Sequence, residues 1–192
     1  MPVETAESLP PEEAFAVLGN EIRIDVLRTL AAADEPLAFS ELYDRVDVAD
    51  SGQFNYHLDQ TLGHFVVDGD DGYRLADPGR RVVEAVLSGA VTDRPEMDRR
   101  SVDAPCPNCG GGVQLRWGSG GVELFCTSCD GRFGERHLSP APDAELGYLG
   151  RYHIPPAGRD GRDADELLTA AWTWTNLEVM AVANNLCPRC SA

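Results

Sequence analysis

Lysine is absent from this chain of 192 residues. All 16 basic residues are arginine, and 32 acidic residues oppose them, for a formal net charge of −16. Such a balance argues against a general basic patch for polyanions. Long apolar runs are missing as well, with no window near the roughly 18 apolar residues of a membrane helix, so no membrane partner is expected. The N-terminal stretch before Phe15 is acidic and polar. It lacks the basic start and apolar run of a secretory signal, and the expected compartment is the cytoplasm. Paired cysteines there favour metal or redox roles over structural disulfides. A nucleophile–base pair, a phosphate loop and an open metal site are also lacking, so an enzyme is not expected.

What is present begins with six cysteines in three Cys-x-x-Cys pairs: Cys106/Cys109, Cys126/Cys129 and Cys187/Cys190. Residues 110–125 separate the first two pairs, a spacing that suits a four-cysteine zinc site. Zinc prefers four soft ligands in a tetrahedron, and two intervening residues let a tight turn aim both sulfurs at one point. Between these pairs lie two alternating segments, Val113 to Trp117 and Val122 to Phe125, joined by a glycine-rich turn. Two knuckles joined by two strands predict a zinc ribbon over 105–138. Gly110 permits a left-handed turn after the first knuckle; Asp130 takes that position on the second, with Gly131 next. Four thiolates leave no open position for water, so the expected Zn2+ is structural. A redox switch is the lesser alternative, and a thioredoxin-like role lacks its strand–helix context.

The first ninety residues read as helices and a hairpin. Pro11 to Leu18 predicts a short helix, ended by Gly19. Asn20 can cap a second helix whose inner face is Ile22, Val26, Leu27 and Leu30. A third covers Ser40 to Val46. A fourth runs from Ser51 to Leu62, with Phe54, Leu58, Thr61 and Leu62 inward. Its opposite face shows Gln53, Asn55, Tyr56, His57 and Gln60, uncharged hydrogen-bonding groups of the kind that read base edges. Two segments, 65–67 and 73–75, flank a turn containing Gly69 and Gly72, a hairpin signal. A last helix, Pro78 to Ser88, carries Val82, Val83, Val86 and Leu87 on one side.

This order resembles the winged helix-turn-helix of ArsR-type regulators. The residues that carry the likeness are 16–27 (from Ala16 through Gly19-Asn20 to Leu27), 53–58 (from Gln53 to Leu58) and 72–75 (from Gly72 to Leu75). The resemblance implies a sequence-specific binder of double-stranded DNA, usually a homodimer paired through its terminal helices. Ser51, Gln53, Asn55, Tyr56, His57 and Gln60 are the candidate DNA contacts, with Arg74 on the wing and Arg80 and Arg81 beyond it. Tyr56 could equally pack against the wing, and Asp59 is expected to serve solubility. The chain departs from the family in two respects. The third helix lacks the cysteine pair with which some members sense metals. The wing tip carries Asp68, Asp70 and Asp71, which repel phosphate. The acidic, lysine-free composition resembles proteins of salt-loving archaea. In molar salt the screening length is about 3 Å, and counterion release loses most of its driving force. Base and apolar contacts then carry a larger share of DNA binding.

Residues 92–104 read as a linker and 139–161 as irregular. Asp163 to Asn184 predicts one long helix or two shorter ones, with an apolar stripe of Leu167, Leu168, Ala171, Trp174, Leu177 and Val179 or Met180. Trp172 and Trp174 are expected in a core or interface rather than a ligand box. Cys187 and Cys190 form a possible second metal half-site. Four completions are open: ligands downstream of Ala192, the same pair of a second copy, His137 and His153, or free thiols. The first is favoured, because a knuckle so near the end looks like half a ribbon.

The expected architecture is therefore α+β: a winged helix-turn-helix over 1–91, a linker over 92–104, a zinc ribbon over 105–138 and a C-terminal helical segment over 139–192. The expected function is transcriptional regulation, with the later segments serving dimerisation, effector response or protein contact. One alternative is a basal factor resembling archaeal transcription factor E, contacting RNA polymerase or basal transcription factors. The other is an interaction or redox-sensing module that does not bind DNA.

Overall fold

The computed structural model describes residues 9–118, 120–132 and 147–188. It is a mixed α and β structure of two compact units, divided between Val86 and Leu87. The division falls five residues before the expected boundary at 91.

In the first unit, helices α1 (Pro11–Leu18), α2 (Glu21–Ala31), α3 (Phe39–Arg45) and α4 (Ser51–Asp59) precede a hairpin of β1 (Val66–Gly69) and β2 (Gly72–Leu75), and α5 (Asp77–Leu87) follows. Local chemistry sets the helix starts. The Asn20 side chain accepts the N–H groups of Ile22 and Arg23 at 3.0 and 3.4 Å. Asp50 accepts the N–H of Gln53 at 2.7 Å. Each satisfies donors that have no partner within the helix. The end of α4 differs from expectation: it stops at Asp59 rather than Leu62. The Thr61 hydroxyl donates to the Leu58 carbonyl at 2.7 Å, while the Thr61 carbonyl accepts from Phe65 and Val66, both at 3.0 Å. The chain therefore turns into β1 before another helical turn can form.

Val26 and Leu27 of α2 and Phe54 and Leu58 of α4 join Leu42, Phe65, Val66 and Val83 in one core. Phe54 is fully buried, with the rings of Phe39 and Tyr43 edge-on to it at 5.2 and 5.3 Å. The hairpin gains a third member, because Leu37 and Tyr73 exchange backbone hydrogen bonds of 3.0 and 2.9 Å. Gly72 allows this approach. Its φ is 119°, and a Cβ there would lie 2.6 Å from the Leu37 carbonyl oxygen.

The second unit holds one antiparallel sheet in the order β3 (Met97–Pro105), β4 (Gly112–Gly118), β5 (Gly121–Cys126), β6 (Tyr148–His153). A 3-10 turn at Pro156–Arg159 leads to α6 (Ala164–Ala183). Two expectations are corrected here. Most of the proposed linker is strand β3, and part of the proposed irregular segment is β6. Both are edge strands, and β3 is rich in charged residues, which blunts an edge but removes apolar alternation from the sequence. One face of the sheet packs Leu115, Trp117 and Val122 against Leu167 and Ala171 of α6 and Ile154. Asp163 caps α6, accepting the N–H groups of Asp165 and Glu166 at 3.0 and 2.9 Å. Glu166 reciprocates by accepting the Asp163 N–H at 3.0 Å.

The predicted stripe on α6 is buried only in its first half. Leu167 and Ala171 are inside, whereas Trp174, Leu177, Val179 and Met180 are exposed. Trp172 is 55% exposed, so neither tryptophan belongs to a core among the described residues.

Phe54→Ala should destabilise the first unit by about 3–5 kcal/mol, because the cavity falls among rings that cannot collapse onto it. Urea denaturation followed by circular dichroism measures the loss.

Candidate functional site

Cys106 follows β3, Cys109 precedes β4, Cys126 ends β5 and Cys129 lies just beyond it. Pairing of β4 with β5 places Val113 opposite Cys126, which carries the second knuckle to the first. The four Sγ atoms lie within 4.8 Å of one another. Cys106 and Cys129 are 3.8 Å apart, and Cys109 and Cys126 are 3.6 Å apart. A tetrahedral ion bonded to sulfur at ~2.3 Å needs sulfurs ~3.8 Å apart, so the cluster is compatible with a bound metal ion. Cys106 and Cys126 are buried with Val113 and Leu149, and Leu124 packs against them.

Backbone N–H groups converge on the sulfurs. Asn108 donates to Cys106 at 3.4 Å and Gly111 to Cys109 at 3.4 Å. Ser128 and Cys129 both donate to Cys126, at 3.2 and 3.3 Å. Gly110 and Gly131 take the left-handed conformation, so the second knuckle makes its left-handed turn one residue later than the first. Burial pushes the Cys126 thiol up, but the Ser128 and Cys129 N–H groups, together with the Cys129 and Cys106 sulfurs, bring it down to about 6. The Gly131 N–H pulls Cys129 down, yet the Cys126 sulfur and burial drive it up to about 12. Cys109 is lowered by the Gly111 N–H but raised overall, chiefly by the Cys126 sulfur. One thiolate thus opposes ionisation of its neighbours, and a cation among them removes that opposition.

The other candidate residues lie in the first unit. Ser51, Gln53, Asn55 and Tyr56 are exposed on α4, Gln60 is exposed just past its end, and Arg74 is exposed on β2. His57 is corrected: it is buried, only 9% exposed, and does not share that face. Phe54, His57, Leu58 and Thr61 stand at i, i+3, i+4 and i+7, so helical geometry turns the imidazole inward with the apolar stripe. Asn55 donates to the Asp59 carboxylate at 3.1 Å, giving Asp59 a local partner beyond its expected solubility role. Burial, then Asp68 and Asp59, push the Tyr73 phenol up, which marks an anionic neighbourhood beside the hairpin. Arg80 is exposed, and Arg81 pairs with Glu84 at 3.0 Å.

Cys187 is half-buried, while Cys190 and His137 lie outside the described residues. Among the described residues, the sulfur cluster includes neither Cys187 nor His153. His153 instead places Nδ1 3.1 Å from Glu178 of α6.

A further charged cluster was missed in the sequence. Glu123, 5% exposed, accepts from Arg116 at 2.9 Å and from Arg151 at 2.8 Å. Arg99 and Arg116 lie over the Phe125 ring at 3.9 and 4.8 Å. The hairpin register sets Arg116 opposite Glu123 and was available from the turn position. The contribution of β6 was not, because that strand was unrecognised.

Cys126→Ala should reduce bound metal from about one ion per chain to near zero after dialysis against a chelator, as measured by elemental mass spectrometry. Acid should release the metal from the unaltered protein. Binding requires thiolates and expels their protons, so affinity falls from about pH 8 to pH 5.

Residues 11–86 match a family described as a domain of unknown function, DUF7347. Residues 103–192 match a second domain of unknown function, DUF7351. The first match ends where the first compact unit ends, and the second begins within β3. No curated protein matches the chain. No solved structure matches it either.

Proposed function

We propose that this chain is a sequence-specific DNA-binding transcriptional regulator of the ArsR type, whose second unit carries a structural zinc ribbon. One observation carries the reading. Helix α4 buries Phe54 and Leu58 in the core while presenting Gln53, Asn55 and Tyr56 to solvent, with Gln60 exposed just past its end. Amide side chains pair bidentately with adenine in the major groove, at about 1–3 kcal/mol of discrimination per pair. The succession of helices, α4 and a short hairpin supports a winged helix-turn-helix, with α4 entering the major groove. Arg74 then meets the sugar–phosphate backbone from the hairpin. With a net charge of −16, non-specific attraction to DNA is weak, and base contacts set the affinity.

Zinc is the ion that the donor set favours. Four thiolates are soft ligands in a closed tetrahedron, which stabilises a fold and leaves no position for catalytic water. The second half of α6 supports a homodimer. Trp174, Leu177 and Met180 recur every third residue along it and are all exposed. Such a surface is costly to leave in water.

Two tests address this reading. DNA sites are first selected from a random duplex pool in molar KCl. Gln53→Ala combined with Asn55→Ala should then lose about 1–3 kcal/mol per residue in footprinting titrations, with an unchanged melting temperature. An unaltered footprint rejects α4 as the reading helix. Separately, Leu177→Glu should convert a dimer to a monomer in light scattering; a dimer that persists removes α6 as the interface.

A further inference from the structure

A cavity of about 770 Å³ lies within the second unit, bounded by the sheet, α6 and the residue after the second knuckle. Its size falls in the range of small-molecule sites, about 300–1,000 Å³. Val113, Leu124 and Leu168 provide apolar walls, and Tyr152 and Trp172 provide aromatic ones. Leu124 packs against both the core beneath α6 and the core around Cys106 and Cys126, so the cavity adjoins both.

Its charge runs against that of the protein. Acidic residues number 32 of 192 in the chain, yet none is among the described residues lining the cavity. Two arginines are. Arg151 is bound to Glu123 at 2.8 Å. Arg132 also lines the cavity, and the described residues offer it no ion-pair partner. A guanidinium beside apolar and aromatic walls suits one chemistry: an amphiphilic organic anion, with its ring or alkyl body against Leu168 and Trp172 and its carboxylate or sulfonate on Arg132. We infer that this cavity is a binding site for such an anion, which makes the second unit a ligand-binding domain. The inference does not depend on DNA binding by the first unit.

The test uses the full chain with its metal and two fluorescent probes of similar shape, anilinonaphthalene sulfonate and uncharged phenylnaphthylamine. Saturable binding of about one sulfonate per chain is expected. Arg132→Gln should weaken the sulfonate about tenfold while leaving phenylnaphthylamine within about twofold, since only the first loses a charge-assisted contact. Thr169→Trp fills the mouth from an exposed helix position and should abolish binding of both. Circular dichroism establishes that each variant is folded. The proposal is overturned if the sulfonate does not saturate, if Thr169→Trp leaves binding intact, or if Arg132→Gln weakens both probes equally or neither.

Discussion

Sulfur atoms gathered within 4.8 Å repel one another once ionised, and the second unit is organised around that problem. The backbone N–H groups of both knuckles favour negative charge on the thiols, while the Cys126 sulfur opposes it on Cys109 and Cys129. A cation in the centre reconciles the two tendencies. The same point ties the ends of β3, β4 and β5 together and closes the small core of Cys106, Val113, Cys126 and Leu149. A metal bound there would couple its own binding to the folding of that end of the sheet.

In the first unit, packing rather than charge sets the architecture. Phe54 of α4 packs against the rings of Phe39 and Tyr43 on α3, and Leu37 adds a bridge to the hairpin. These contacts hold α4 firmly while its polar residues remain in water. The base-reading role proposed for α4 needs that combination, because it tolerates little angular error. The anionic surroundings of Tyr73 work against phosphate contact from the same side. On the proposed DNA-binding reading, discrimination falls to amides and hydroxyls more than to cations.

Most of the first unit was legible because its signals are local. Asn20 announces a helix start, Gly69 and Gly72 announce the hairpin, and apolar spacing marks α2. The two misreadings in α4 have tertiary causes. Thr61 ends the helix through bonds to β1, and His57 occupies an inward position that its polarity disguises. In the second unit, the cysteine spacing revealed the knuckles and β4 with β5. Strands β3 and β6 escaped because edge strands need not alternate apolar and polar residues. Tyr152, Leu168 and Trp172 looked unremarkable individually; their convergence on one cavity depends on β6 lying beside β5.

The missing lysine has a counterpart on the outer side of the sheet. Arg99 and Arg116 roof the Phe125 ring with planar guanidinium groups, and Arg116 also clasps Glu123. Coulombic attraction fades in brine, but flat contact between a weakly hydrated cation and an arene persists. A compact ammonium would bring neither the plane nor the forked donors. Exchanging these two arginines for lysine would preserve the formal charge yet leave this side of the molecule prone to loosening as ionic strength rises.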